Sequence, residues 1–559
     1  MTDRSKGIYS ALRSGRGGDG TDSNSITPPS ATTSEAMLKM LSKSRLVNGE
    51  TGFSIDFSGM KISDAGLEAI SDKLAAAHVE MGEIEAGAVK NIDEQRKVTH
   101  FTDRAEYPSS EIFRDVEAFA ADVAEGTIKG STGKKFDALI LNGIGGSALG
   151  PQLLQFAING PVWNELAPDE RRGFLRIYFT DNTDTAGVAD AMKTMDLETT
   201  LVLSVSKSGG TQETKNNMIA FEKLYADAGI DFAEHACAIT MPGSQLDKHA
   251  SSNGWMKIFP MAESIGGRTS ETAIVGHLPA ALTGVDFAEF LEGANKMDAW
   301  TREPNPKNNP AYLLAATWYL VGDAKGDRNM VIVPYADRLL PLSRYLQQLV
   351  MESLGKEKDR DGNVVNQGLN VFGNKGGTDA HAFIQQLNDG RDDFFATFIE
   401  VYKDTLDVEI ENGVFMGDYL HGFQAGLADA LQEKGRQVIQ MAIRQVDAAN
   451  LGALVALYER AVAFYAELIN INAFHQPGVE AYKKASKKII ALLAEVNSKL
   501  PALAGSEGTA AELAEKAGVE NVAAFEGILA KAAENPTRPG NSVSRKWSGK
   551  RDDWIYRVV

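Results

Sequence analysis

The chain has 559 residues, 43 % apolar and 24 % charged, an ordinary globular balance in a length that suits two or three domains. Its 57 lysines and arginines against 75 aspartates and glutamates give a net charge of −18, which excludes the basic footprint of a general nucleic-acid binder but not a local pocket for an anion. The single cysteine, Cys237, excludes an intrachain disulfide and a CxxC metal site and fits a reducing compartment.

The N-terminus, MTDRSKGIYSALRSGRGG, lacks the apolar core of a secretory signal, so a cytoplasmic location is expected. Residues 1–36 are rich in Ser, Thr, Gly and Pro and are predicted to be a disordered tail. A helical pattern runs through 37–105, in stretches such as GLEAISDKLAAAHVEMGEIEAGAVK, and predicts a helical arm.

From Phe136 the rhythm changes. FDALIL, LRIYFT, TLVLSVS and HACAIT are short apolar runs separated by helical stretches, as buried parallel strands of a doubly wound α/β domain would be. The uncharged stretch 138–164 is too rich in glycine, proline and amides to cross a membrane. TREPNPKNNP (301–310) must be a loop, and reads as the crossing into a second α/β half. There RNMVIVPYAD, QGLNVFG and FFATFIEV are strand candidates, with an amphipathic helix through SRYLQQLVMESLG and helices onward to about Leu500. Beyond Pro501 a capping box at Thr509–Glu512 predicts one more helix. Some 60 residues are few for an independent domain, so a subunit-contact or tail role is expected there.

Two glycine-rich loops follow strands. In NGIGGSALGP the backbone can approach an anionic ligand at a helix start, which suits a sugar or phosphate cradle. Gly143, Gly145 and Ala148, with Asp181 after the next strand, also satisfy a permissive dinucleotide pattern, and a bare tight turn is the third reading. In SKSGGTQET the hydroxyls of Ser206, Ser208 and Thr211, the Lys207 cation and a helix N-terminus are the inventory a phosphate monoester wants. A Ser/Thr cap at Thr211–Thr214 would account for only part of that crowding.

Four further motifs are ordinary in isolation. Arg268, between a glycine pair and a helix start, has the geometry to hold an oxyanion. Glu352 sits beside apolar neighbours on a helix expected to pack inward, where burial would raise a carboxyl towards the range of a general base. His381 lies in GNKGGTDAHAF, and Gln476, Lys483 and Lys484 lie in QPGVEAYKK.

In order along one chain, GIGGS, SKSGGTQET, GGRTSETA, MESLGK, GTDAHAF and QPGVEAYK resemble the glucose-6-phosphate isomerase family, from NIDEQRKVTHFTDR (91–104) to about Lys488. The resemblance implies an α/β fold of two sugar-isomerase (SIS) domains, each a mainly parallel sheet flanked by helices, over 106–300 and 301–500. A helical N-terminal arm would precede them and a C-terminal extension, 501–559, would follow. It implies reversible isomerisation of D-glucose 6-phosphate and D-fructose 6-phosphate through a cis-enediolate, as in glycolysis and gluconeogenesis, without cofactor or metal. Glu352 would be the base, Arg268 would stabilise the enediolate, and Lys483 and His381 would assist ring opening. The histidine would come from the other subunit of a homodimer. Ser206, Lys207, Ser208 and Thr211 would hold the phosphate, and Gly146, Ser147, Gln348 and Gln476 would line the sugar pocket. No nucleic-acid or membrane partner is implied.

The chain departs from the family pattern in SKSGGT, where many members have SKTFTT, in a short form of the histidine motif, and in GGRTSETA, where Glu271 is expected to bring a second carboxylate near Arg268. Two alternatives stand beside the isomerase: a non-catalytic SIS-domain sugar-phosphate sensor, which would keep the phosphate loop and lose the base, and an isomerase that also accepts mannose 6-phosphate.

Overall fold

The computed structural model describes residues 44–550 and 552–559; the expected disordered tail, 1–36, lies outside them. The described chain opens with an antiparallel hairpin, β1 (Arg45–Asn48) and β2 (Phe53–Gly59), which corrects the expectation of a wholly helical arm over 37–105. Phe53, Ile55 and Phe57 are buried at every second position, the period of a strand. The arm is helical only from Asp64 onward, through Asp64–Ala69, Ser71–Glu85 and α1 (His100–Glu106).

Five strands then make a wholly parallel sheet: β3 (Ala138–Asn142), β4 (Arg176–Thr180), β5 (Thr200–Val205), β6 (Ala236–Thr240) and β7 (Lys257–Pro260). The first four coincide with the apolar runs read from the sequence; β7 is four residues of KIFP, too short to stand out. Helices cover both faces, so β3, β5 and β6 are buried throughout. The order β4-β3-β5-β6-β7 reverses direction beside β3. At such a point the loops leaving the carboxyl ends of two neighbouring strands diverge and open a crevice. Here those strands are β3 and β5, leading into α2 (Gly146–Ile158) and α3 (Gln212–Asp227).

After α4 (Phe287–Thr301) the expected crossing at 301–310 holds only a short turn, Pro306–Asn308, and Asn309, which caps the next helix through its side chain. The second sheet runs β1-β2-β11-β10-β8-β9. Its parallel members are β8 (Asn329–Pro334), β9 (Val371–Phe372), β10 (Phe394–Val401) and β11 (Val438–Ile443), and β2 pairs antiparallel with β11. The strand β11 lies where helices alone were expected, a correction: VIQMAI is half the length of a typical helix and is sealed between β2 and β10. Between β8 and β9, α5 (Leu342–Leu346) widens into a single π-turn, Gln347–Glu352. Such bulges reorient side chains and gather at functional sites.

Between the two sheets lies α6 (Ala448–Leu468), apolar on every side and buried almost throughout. It packs on α4 through two glycines. A β-carbon on Gly293 would stand 1.8 Å from the Ala449 carbonyl oxygen, and one on Gly452 would stand 1.9 Å from that of Phe290.

Next comes α7 (Pro477–Lys499), exposed along most of its length, and after it a packed module rather than a tail. Helices Ala510–Ala517 and Val522–Ala533 cover a three-stranded antiparallel sheet, β12 (Glu507–Gly508), β13 (Val543–Ser548) and β14 (Asp553–Val558). Leu513, Phe525, Leu529 and Tyr556 form its core with Val496 and Leu500. The capping box at Thr509 and Glu512 is formed as expected. Among the described residues no helix is long and apolar enough to cross a membrane.

Candidate active site

The crevice above β3 and β5 is a cleft of about 370 Å³. Its first wall is the β3–α2 turn, where Gly145 takes φ +60° and the first turn of α2 abuts the Gly267 loop. Gly146 and Ser147 line the cleft. Asp181, required by the dinucleotide reading, lies outside it and accepts a hydrogen bond from Gln152 at 2.8 Å. The arrangement therefore favours the cradle reading over the dinucleotide one.

The second wall is the β5–α3 loop. Ser206 Oγ accepts the Gly209 N–H at 3.1 Å and Ser208 Oγ accepts that of Gly210 at 3.2 Å, which folds the loop upon itself at the mouth of α3. Thr211 is the N-cap residue, yet its side chain makes no cap bond, so the cap reading of this hydroxyl fails. Thr214 Oγ1 is buried against the cleft without a hydrogen-bond partner among the described residues. Ser206 Oγ also donates to Thr211 Oγ1 at 3.3 Å, and these hydroxyls converge with the N–H groups of a helix's first turn, as an anion requires. Lys207 also lines the cleft, and its ammonium donates to the Glu263 and Ile265 carbonyls at 2.6 and 2.8 Å. Burial, with Arg96 nearby, pushes its pKa down to about 8.

The third wall brings the two sheets together. Arg268, from the loop after β7, is buried, with Nε 3.2 Å from Glu352 Oε2 on the π-turn of the second sheet. Its Nη1 donates to Ser353 Oγ at 3.1 Å and to the Ala473 carbonyl at 2.7 Å, and its Nη2 donates to Gln476 Oε1. Burial lowers its pKa and the Glu352 carboxylate opposes that shift. Gln348 donates to the same Glu352 oxygen at 3.1 Å, so two donors hold one carboxylate beside Arg268, although Gln348 and Glu352 themselves stand just outside the residues that line the cleft. Lys483, on α7, also lines the cleft, and the exposed Lys484 does not.

His381, expected to serve the other subunit's site, is exposed on the short turn Thr378–His381 and does not line this chain's own cleft. One expectation needs amendment. Glu271 does not face Arg268: it turns the other way, fully buried, and accepts the Tyr345 hydroxyl at 2.5 Å. The turn holding Arg268 ends at Thr269, and the chain changes direction before Glu271.

Several cleft residues escaped the sequence reading. Arg96 donates to the Ser264 and Phe474 carbonyls at 3.1 and 3.0 Å and so ties two walls together. Both nitrogens of the buried His100 lack hydrogen-bond partners among the described residues, and burial beside Arg104 and Arg460 holds its pKa well below the ordinary histidine value. Lys356 is buried one turn beyond Glu352, donates to the Glu352 and Ser353 carbonyls at 2.9 and 2.7 Å, and has its pKa pushed down to about 7 by burial and Arg268. The Glu352–Lys356 and His100–Arg104 spacings of four gave a local signal; Ser264, Phe474 and Arg460 are far away in sequence.

A family model described as phosphoglucose isomerase matches residues 56–438 and 432–502. The glucose-6-phosphate isomerase of Gloeothece citriformis is 48 % identical over 480 residues, 84 % of this chain and 89 % of that protein. That of a Nostoc species is 49 % identical over 483 residues, with the same shares. The crystal structure of a glucose-6-phosphate isomerase from Chlamydia trachomatis superposes with a TM-score of 0.73 at 27 % identity, over 82 % of this chain and 91 % of that one.

Proposed function

The chain belongs to the phosphoglucose isomerase family, and from that premise we infer that the cleft between its two sheets is the active site of an aldose–ketose isomerase. The protein is a glucose-6-phosphate isomerase enzyme: it interconverts D-glucose 6-phosphate and D-fructose 6-phosphate, in glycolysis and gluconeogenesis. One observation carries the assignment of chemistry to this cleft, the 3.2 Å meeting of Arg268 from one sheet with Glu352 from the other.

In this reading Ser206, Ser208 and Thr211 hold the phosphate at the mouth of α3, with Lys207 beneath them. Binding energy gathered there, away from the reacting carbons, positions the open-chain sugar. Gly146, Ser147, Gln348 and Gln476 line the sugar. Glu352 removes the proton from C2 and returns it to C1, or the reverse. The same group must both take and give the proton, and its partners Arg268 and Gln348 hold one oxygen while the other is left to move it. Arg268 is a permanent cation beside the oxygen on which charge develops, so it stabilises the enediolate without reorganising. Lys483 serves ring opening.

His381 completes the site of a second copy in a homodimer. A cluster of exposed apolar side chains in 402–423 supports that pairing, among them Leu406 at 66 %, Met416 at 63 % and Phe423 at 59 % exposure. Leu420, in the same stretch, lies 3.9 Å from where a β-carbon on Gly377 would be, at the start of the His381 turn. The SIS-type domains are taken as 106–300 and 301–500, with the enzyme placed in the cytoplasm.

The test is turnover of fructose 6-phosphate, with EDTA present, by the wild type and Glu352→Gln. Turnover lost by about 10³-fold or more in the variant, with sugar-phosphate binding intact, supports both reaction and base. A variant that still turns over moves the base elsewhere.

A further inference from the structure

At the back of the cleft, which Glu459 lines, is a pair of carboxyl groups that the proposed chemistry does not use. Glu271 and Glu459 are buried, 1 % and 2 % exposed, and perturb one another's titration as a hydrogen-bonded carboxyl pair does. Two carboxylate oxygens cannot share a hydrogen bond unless one carries a proton. The partners settle which one does. Glu459 Oε2 accepts from Arg104 Nη1, while its Oε1 meets no donor among the described residues. Glu271 makes no ion pair among the described residues and accepts the Tyr345 hydroxyl. The anion thus belongs on Glu459, against the guanidinium, and the proton on Glu271. Burial and the Glu459 charge raise the Glu271 pKa well above the ordinary carboxylate value, in agreement with that placement.

The pair joins the parts of the site that have to meet. Glu271 follows Arg268 by three residues in the first sheet's loop. Tyr345 is on α5, which runs directly into the π-turn of Gln348 and Glu352. Glu459 is on α6, whose face lines the cleft.

We propose that Glu271 is kept as the neutral acid and, bridging Tyr345 and Glu459, is a positioning residue that fixes the Arg268 turn against the helix of Glu352. The charged and titratable groups around it are Tyr345 on α5, Glu459 and Arg460 on α6, His100 and Arg104 on α1, and Asp298 on α4, which Arg104 and Arg460 both hold. The proposal deepens the isomerase reading and rests on it for its kinetic arm alone.

Two measurements test it. In E271Q the amide reproduces the neutral acid, donating to Glu459 and accepting from Tyr345, so turnover stays close to that of the wild type. In E271L both bonds are lost and kcat falls about tenfold or more with KM little changed, as Arg268 and Glu352 drift apart. Should E271L fail to fold, Y345F removes one hydroxyl only and is expected to lower kcat severalfold. Wild-type kcat in E271L or in Y345F overturns the positioning role, and an E271Q as impaired as E271L overturns the neutral acid. Absence of turnover in the wild type would instead overturn the isomerase reading.

The second measurement needs no turnover. An acid with a raised folded-state pKa costs stability increasingly as pH climbs above the ordinary carboxylate range, because the unfolded chain gives up its proton first. E271Q escapes that cost, so its unfolding free energy relative to wild type should rise between pH 5 and 8. A difference that stays flat or falls over that range means an ionised Glu271 and ends the proposal.

Discussion

Gly146 stands so close to Gly267 that a β-carbon on it would lie 1.8 Å from the Gly267 carbonyl oxygen. The first turn of α2 and the residue before Arg268 therefore touch backbone to backbone, and the wall of the sugar pocket is also what seats the arginine. Gly146→Ala is expected to force the two apart, costing about 1–3 kcal/mol and lowering kcat with it. Gly267→Ala meets nothing within 4 Å of its added carbon and should leave thermal stability unchanged. Melting curves of the two variants decide the point, and equal curves would contradict it.

Arg268→Lys keeps a positive charge but replaces a planar fork holding Glu352, Ser353, Ala473 and Gln476 with a single ammonium. The expected result is a fall in kcat of about 10²–10³-fold with KM for fructose 6-phosphate within a few fold. A loss confined to KM would mean that the arginine binds ground state and transition state alike.

Ser208→Ala combined with Thr211→Ala removes two hydroxyls from the mouth of α3. At about 1.5–3 kcal/mol for each bond to a charged group, the inhibition constant of inorganic phosphate should rise about a hundredfold or more. Inhibition by phosphate that is unchanged in the double variant would place the anion elsewhere.

Mixing subunits tests the sharing of His381. Homodimers of Glu352→Gln and of His381→Asn are both expected to be nearly inactive. A mixed dimer would own one site with both groups intact, so random exchange should restore about a quarter of wild-type turnover. A histidine acting within its own chain would restore none.

The buried Lys356 predicts a pH dependence. Its pKa is pushed down to about 7, below the ordinary lysine value, so between those limits the unfolded chain holds a proton that the folded chain has released. Its contribution to stability must then rise with pH above 7, at up to about 1.4 kcal/mol per unit, and fall away below. Lys356→Met should remove that slope from urea-unfolding curves taken between pH 7 and 9. A slope that survives the substitution belongs to another group.

How far these features could be read in advance depended on where their causes lie. The strands β3, β5, β6 and β10 were legible because parallel strands covered on both faces are mostly apolar runs. β11 carries Gln440 in its middle, and β2 owes its place to a partner far down the chain. In the site, the SKSGGT hydroxyls crowd within six residues and announce an anion. Arg96 announces nothing, since the carbonyls it holds are 168 and 378 residues away. Glu271 misled for the converse reason: neighbours in sequence need not face one another once a turn intervenes.

The pairing of β2 with β11 has a consequence for synthesis. Lys61 and Gln437 are joined across 376 residues of chain, so at 5–20 residues per second the N-terminal hairpin waits about 20–75 s on the ribosome for the strand that receives it. A lone two-stranded hairpin is barely stable in water and presents open edges meanwhile. The first sheet needs nothing beyond Pro260 to complete its strands and can form early. The second sheet closes only when both ends of its sequence have emerged, and Glu352 reaches Arg268 with that closure. Nascent chains halted before β11 should therefore be protected from proteolysis over β3–β7 while residues 45–59 are still cut.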